Sequence, residues 1–431
     1  MARVVVVGGG LGGMASAARL AKIGHDVTIV EQLPTLGGAL GFIEQDGFRW
    51  DSGPSATTLP AALRDLFRKS GRPLERETDL VELPILREHR FDDGSRVAVP
   101  ANSRAAQRDA FDEGLGAGMG DRWLEWTDGF AHVWELLRKE YLERPYSPDH
   151  APKEMVSLMR DRPTLQRAVN KLRDDRLKKI ALHHAVSGGH DPRNVPWWMG
   201  FIDHVEQVFG SWTVPGGLGA FAGLLEKRLG ERGVTVLTNM TVVELVDAGV
   251  RTDKDDVIPA DIVVVAIDPR QLPSLKSYVD KTMPAIPPTV CHVGLEGDLP
   301  QLPHELVLHG DATITITTGG QAPEGHAAWT ISARGRLSED ILNALARAKI
   351  DLRSHVVTRV DRSPRQQVEH YRGSSYGVLW QGRATITGQL LTRTPVPNVY
   401  AVGAHTTVSA LTPFVALTSS LVADAVGPAA R

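Results

Sequence analysis

The stretch VVVVGGGLGGMASAARLAKIGHDVTIVEQ, residues 4–32, decides the fold. Its first four residues are β-branched without interruption, the pattern of a strand covered on both faces. They run directly into glycines spaced GxGxxG at Gly8, Gly10 and Gly13. Gly8 permits a tight turn, Gly10 lets backbone approach a pyrophosphate, and Gly13 lets the following helix sit close to the strand. Residues 14–23, rich in alanine, read as that helix; the amides at its start, beside Leu11 and Gly12, would face phosphates. Residues 27–30 read as a second strand. Glu31 stands at its end, 18 positions after Gly13, with Gln32 behind it. An acid there accepts a hydrogen bond from a ribose 2′-hydroxyl and repels a 2′-phosphate, so the dinucleotide is FAD or NAD rather than NADP. GxGxxG alone is equally a glycine-rich turn. Strand, glycines, helix, strand and acid in register point to a nucleotide, the alternative being an adapted but empty Rossmann domain.

Working outward, 431 residues are about two to three times a typical domain and predict at least two folded units, or one large fold with an insertion. Hydrophobic residues at 42% and charged residues at 23% exclude a largely disordered, collagenous or coiled-coil chain. Forty-eight Lys and Arg against 51 Asp and Glu leave a formal charge of −3, so no global basic field attracts nucleic acid. The single cysteine, Cys291, excludes a disulfide framework or a multi-cysteine metal site and reads as a small buried hydrophobe. The chain starts Met-Ala-Arg with no apolar leader, and no apolar run approaches the ~18 to 20 residues that span a bilayer. A cytoplasmic location is expected.

What separates FAD from NAD is the segment GGALGFIEQDGFRWDSGPS, residues 37–55. Gly37-Gly38 falls six residues after Glu31 and is followed by a short hairpin pattern, the turn Asp51-Ser52-Gly53-Pro54, and Ser55. In this spacing the chain resembles the phytoene desaturase branch of the FAD-dependent amine-oxidase and carotenoid-desaturase superfamily. It departs at Ala39, where the family commonly carries arginine, so one charged contact beside the coenzyme is missing. Residues 172–246 extend the resemblance through a charged helix, a small-residue turn, a proline-led helix and the loop Pro215-Gly216-Gly217. That loop opens a helix over 221–229 and strands at 234–237 and 242–246. The resemblance implies that Val242 holds the adenine edge through its main chain. Val214-Pro215 stands where relatives have an arginine. Residues 260–268 read as a further buried strand without a second GxGxxG, so no separate nicotinamide domain is expected.

Near the end, PNVYAVGA, residues 397–404, reads as a last strand entering a glycine turn, and 413–425 as a closing helix. In relatives this helix points its N-terminus at the flavin pyrimidine ring, where reduced flavin gathers negative charge. The resemblance thus adds Gly403, Ala404, Pro413, Phe414 and Val415 to the coenzyme contacts. With Pro413 in the first turn, the Phe414 and Val415 amides are expected to be free to donate. The intervening HTTVSALTPF, residues 405–414, lacks the glycines of the relatives and leaves substrate identity most open.

The expected architecture is α/β, with a discontinuous Rossmann-like FAD-binding domain from residues 1–65, 205–275 and 382–431. An α+β substrate domain with a helical insertion would use 66–204 and 276–381. Residues 57–180 read as helical and polar. Trp123, Trp126, Phe130 and Trp134 form an aromatic face, either a core stripe or a lining for an apolar ligand. Residues 153–179 carry nine basic against four acidic side chains around Leu165, Val169 and Leu172. That pattern is a solvated helix face or a peripheral contact with an anionic membrane.

No paired carboxylates, nucleophile with its base, or metal spacing stands out, and no metal is expected. His183, His184 and His190 cluster without a further ligand pattern. The resemblance places His190 and His405 nearest the flavin, where either moves a proton if its pKa lies near neutrality. It also implies hydride transfer to flavin N5, with the protein orienting the C–H bond and excluding water. The implied substrate is an apolar small molecule, of isoprenoid type, that is dehydrogenated or isomerised. One alternative is a relative recruited to an amine or polyketide-type secondary metabolite, which a cavity lined by charged groups would favour. Another is a flavoprotein that holds FAD without catalysing a reaction, suggested by the charges missing at Ala39 and Val214-Pro215.

Overall fold

The four opening valines sit at the centre of a five-stranded parallel sheet in the computed structural model, which describes residues 1–101 and 103–430. Residues 102 and 431, within the expected helical insertion and last coenzyme segment, lie outside the described residues. The strand order is Val399–Ala401, Ile262–Val265, Arg3–Val7, Asp26–Val30, Thr235–Leu237. Val4 to Val7 are at most 2% exposed, because the sheet is covered on both faces. On one face pack helices Leu11–Lys22, Pro60–Ser70, Ala220–Glu231 and Thr412–Val426. On the other lies a three-stranded antiparallel sheet, Val242–Val246, Gly249–Thr252 and Val257–Pro259, with Leu272 and Leu275. Arg19, buried within the helical layer, donates to Ser419 Oγ at 3.1 Å and pairs with Asp65 at 2.8 Å, tying three helices together.

A second, seven-stranded sheet is ordered Val356–Arg362, Thr289–Glu296, His326–Gly335, Ala312–Thr317, Glu305–His309, Ile85–Phe91, Arg96–Pro100. The last two strands correct the all-helical reading of residues 57–180. They are a hairpin around Asp92-Asp93-Gly94-Ser95 whose alternate charged residues disguise it. Period two divides the sheet into unlike faces. Cys291, Val293, Ile314, Ile316, Trp329 and Ile331 face an apolar core against helix Ile341–Arg347. Burial pushes the Cys291 thiol up to about 12, as suits an inert hydrophobe. His292, Thr313, Thr315, Thr317, Thr330, Ser332 and Arg334 face the other way, into a cavity.

The third layer is helical. Trp123, Trp126, Phe130 and Trp134 are at most 8% exposed and form a core stripe, with Trp123 stacked on Phe111 at 4.9 Å and Trp134 on Phe201 at 6.0 Å. The basic stretch is not one helix. It breaks into Lys153–Arg160, Leu165–Ala168 and Asp175–Ala181, interrupted at Pro163 and restarted by the Asp174 cap. Leu165, Val169 and Leu172 point into the core at 3% exposure or less, so the peripheral-membrane reading has no apolar residues there to insert. Among the described residues no helix is long and apolar enough to cross a membrane.

Candidate active site

A groove opens where the central strands end, at Val7, Val30 and Ala266, the position at which parallel α/β sheets bind ligands. The chain leaves the first strand through Gly8 at φ +102, and the Gly8 amide donates to the Val30 carbonyl at 2.8 Å. Gly10 caps the first helix in an ordinary extended conformation, and a Cβ there would meet nothing within 4 Å. Side-chain-free main chain at a helix N-terminus facing open space is what a diphosphate requires, so these residues fit a dinucleotide. Gly13 serves packing alone. A Cβ there would overlap the Gly8 carbonyl oxygen and stand 3.2 Å from Ala266 Cβ.

Glu31 is 6% exposed and bonded at both oxygens: Oε2 accepts from the Gly9 amide at 2.6 Å and Oε1 from the Leu33 amide at 2.8 Å. Burial pushes its pKa up, and these amides oppose the shift. The acid therefore also pins the glycine turn to the second strand. Asp51 performs the same service for the Pro215-Gly216-Gly217 loop. Its Oδ1 accepts from the Gly219 amide at 2.6 Å, and burial lifts its pKa to about 6.

Most of the residues marked out by the sequence converge here. Gly8, Gly10, Leu11, Gly12, Glu31, Gln32, Gly37, Gly38, Ala39, Pro54, Val242, Gly403, Ala404, His405 and Val415 line the groove. Gly53, Ser55, His190 and Pro413 line an adjoining cavity of about 320 Å³, which Ala39 and Pro54 also border. Gly13, whose place is in helix packing, and Phe414 are the exceptions to the expected coenzyme contacts. The latter lies away from both groove and cavity. Its fully buried ring packs 5.7 Å from Phe201 in the helical core. The expectation of free Phe414 and Val415 amides is corrected as well, since both donate to the Leu411 carbonyl, at 3.0 and 3.1 Å. The helix begins one residue before Pro413, so Thr412, which borders both groove and cavity, occupies its first position.

The two histidines are separated, and burial lowers the pKa of both. His405 borders the groove with Nδ1 unpartnered, and burial lowers its pKa. His190 borders the cavity; its Nδ1 accepts from the Trp380 amide at 3.4 Å, and burial together with the Arg334 charge lowers its pKa to about 4. Neutral His190 accepting at Nδ1 carries its hydrogen on Nε2.

The cavity also holds a charged cluster of which sequence reading had only His183 and His184. Arg87 donates in a fork to Glu206, 2.6 and 2.8 Å, and through Nε to Glu305 at 2.7 Å. His183 Nε2 lies 3.4 Å from Glu305, and His184 Nε2 lies 3.3 Å from Glu206 and 3.8 Å from Asp203. Trp126 Nε1 donates to Asp203 at 2.8 Å. Arg87 holds both glutamates well below the usual carboxylate range despite burial, whereas burial pushes Asp203 up to about 7 and His183 down to about 4. These groups come from strands Ile85–Phe91 and Glu305–His309 and helices His183–Ser187 and Phe201–Phe209.

Residues 11–426 match the family of flavin containing amine oxidoreductases. Among curated relatives, a 4,4′-diapolycopene oxygenase of Methylomonas is 27% identical over 498 residues, covering 98% of this chain and 97% of the relative. A neurosporene-forming phytoene desaturase of Cereibacter sphaeroides is 29% identical over 275 residues, 62% of this chain and 53% of the relative. Among solved structures, a putrescine oxidase superposes with a TM-score of 0.72 at 17% identity over 99% of both chains. A cyclohexylamine oxidase from Brevibacterium oxydans gives 0.69 at 14% identity, over 99% of this chain and 98% of that one.

Proposed function

The chain belongs to the flavin containing amine oxidoreductase family and is an FAD-dependent oxidoreductase, and from that premise we propose that it takes hydride from a C–H bond of a small molecule that is partly apolar and partly polar. When bound, FAD supplies the hydride acceptor. In this reading the Gly10 turn receives the diphosphate, Glu31 a ribose hydroxyl and the Val242 main chain the adenine. The residues around Gly403 and Thr412 border the ring system. The coenzyme part expected from residues 1–65, 205–275 and 382–431 would, in this reading, begin its second segment after helix Phe201–Phe209, whose Phe201, Ile202 and Val205 belong to the helical core.

The cavity wall carries the proposal. Leu165, Val195, Met199, Ile202 and Leu411 supply an apolar side, which suits the carbon skeletons for which the curated relatives are named. The same lining also includes Arg87, Glu206, Glu305, Arg334 and the threonines of strand Ala312–Thr317. A bare hydrocarbon filling this space would leave polar groups without water, at about 1–3 kcal/mol for each one unsatisfied. The charged lining therefore favours a functionalised metabolite over an unsubstituted isoprenoid. The protein's tasks are to orient the C–H bond and exclude water. Neutral His190 serves as a hydrogen-bond donor through Nε2 rather than as a base.

Heat denaturation of the purified protein should release FAD, and anaerobic mixing with polar secondary metabolites should bleach the flavin absorbance. Protein without FAD, or bleaching by unsubstituted isoprenoids alone, would overturn the proposal.

A further inference from the structure

Two arginines border the cavity, and their surroundings differ. Arg87 is neutralised by two glutamates. Arg334, at the end of the polar face of strand His326–Gly335, is held by main chain and by the Tyr376 phenol rather than by a carboxylate. Its Nε donates to the Ser187 carbonyl at 3.0 Å and its Nη1 to the Ile286 carbonyl. Nη2 is buried with no partner among the described residues. The Tyr376 ring lies 5.0 Å from the guanidinium carbon, and the groups that bear on the arginine's charge are its burial and that phenol, with no carboxylate among them. Gly189, at φ +81, makes room for it; a Cβ there would stand 2.7 Å from both Nη1 and the Ile286 carbonyl oxygen.

A half-buried cation with no carboxylate beside it is better stabilised when a ligand supplies the counter-charge. His190 adds a donor to the same cavity. His190 is neutral with its hydrogen on Nε2, and His292, 1% exposed on the same sheet face, accepts or donates through Nδ1 to Thr330 at 3.0 Å and leaves Nε2 unpartnered. We propose that Arg334 anchors an anionic end of the substrate, a carboxylate or another oxyacid group of single negative charge, inside the cavity beside the coenzyme groove. This deepens the reading of the preceding subsection and rests on it. One guanidinium balances one charge, which sets a phosphate dianion aside. The apolar wall receives the remainder of the molecule, and Arg334 acts as an anchor that fixes which C–H bond is presented.

The test uses the purified full-length protein and three ligands of one shape, phenylpropanoate, phenylpropanamide and phenylpropylamine, with affinities from titration calorimetry. The carboxylate should bind at least tenfold more tightly than the amide and the amine. Arg334→Gln should shrink that preference to within about twofold, and Arg334→Lys should retain part of it. The comparison on the unmutated protein needs no variant and stands if Arg334→Gln fails to fold. Equal affinity for the amide or amine, an undiminished preference in Arg334→Gln, or no binding by any of the three would overturn the anchor. Protein that holds FAD yet shows no carboxylate preference loses the anchor alone. Protein that shows the preference without FAD keeps the anchor and loses the oxidoreductase reading of the cavity.

Discussion

Replacing Gly10 and Gly13 by alanine, one at a time, separates holding the coenzyme from holding the fold. The two positions are three residues apart in one motif, and their surroundings are opposite. Gly10 has φ −73 and ψ −178, which alanine adopts freely, and its Cβ would enter open groove. The loss to the coenzyme-free protein is that of a less favourable helix cap, under about 1 kcal/mol. The methyl group instead occupies the space a diphosphate would fill; an overpacking penalty of about 1–3 kcal/mol, taken at binding, weakens FAD affinity by about 5- to 160-fold. At Gly13 the Cβ overlaps the Gly8 carbonyl oxygen, a main-chain atom fixed by the sheet, so the same 1–3 kcal/mol or more is taken from the fold itself. The assay is denaturant unfolding of deflavinated protein, together with flavin content after gel filtration. Gly10→Ala should unfold with wild type and lose flavin; Gly13→Ala should unfold earlier even without flavin. Full flavin retention in Gly10→Ala, or a coenzyme-free Gly13→Ala as stable as wild type, would refute this account of the motif.

Three further outcomes follow from the same geometry. Glu31→Gln keeps the shape but turns one amide N–H toward a main-chain donor, Gly9 or Leu33, and should destabilise the coenzyme-free protein by about 1–3 kcal/mol, read by denaturant unfolding. Lowering pH from 6.5 to 4 should destabilise the protein steeply. His183, His190 and His292 have folded pKa values near 4 and His309 near 3, so the unfolded chain takes up four protons that the fold refuses. Asp203 and Asp51, raised to about 7 and about 6, contribute the opposite sign, and the net of about two protons corresponds to a slope of ~3 kcal/mol per pH unit near pH 5. A flat stability profile across that window would contradict the burial assigned to these histidines. Arg87→Met strands two buried carboxylates and should cost about 3–5 kcal/mol at pH 7. The deficit should narrow toward pH 5 as the carboxylates protonate, and a deficit independent of pH would show that lost packing dominates.

The coenzyme cradle was readable because its determinants are local. A β-branched run, three spaced glycines and an acid at a strand end specify each other within 31 residues, and the groove places them together. Its far wall at Gly403 was reached only through family resemblance, since nothing near Gly8 in the sequence announces a neighbour so distant. The start of the closing helix was misjudged by a residue. Pro413 looks like a first helical position, but Leu411 is the cap, and that shift consumes both amides expected to be free. The charged cluster was illegible for a different reason. Arg87 lies 119 residues from Glu206 and 218 from Glu305, and ion pairs at such separation leave no periodic trace. The hairpin bearing Arg87 was hidden by the same charges, since a strand whose polar face lines a cavity instead of solvent is indistinguishable by pattern from an exposed polar segment.

The central sheet takes its strands from the beginning, middle and end of the chain, and the groove is walled by Gly8 on one side and by Gly403 and Val415 on the other. During synthesis the strand Arg3–Val7 waits for its neighbour Ile262–Val265, and the edge at Ile262–Val265 stays bare until Val399–Ala401 emerges. The receptacle is thus closed only once strand Val399–Ala401 and helix Thr412–Val426 have joined the earlier strands. Loading waits for that late segment, after which a dinucleotide laid across the early and late walls works as a clasp, resisting their separation.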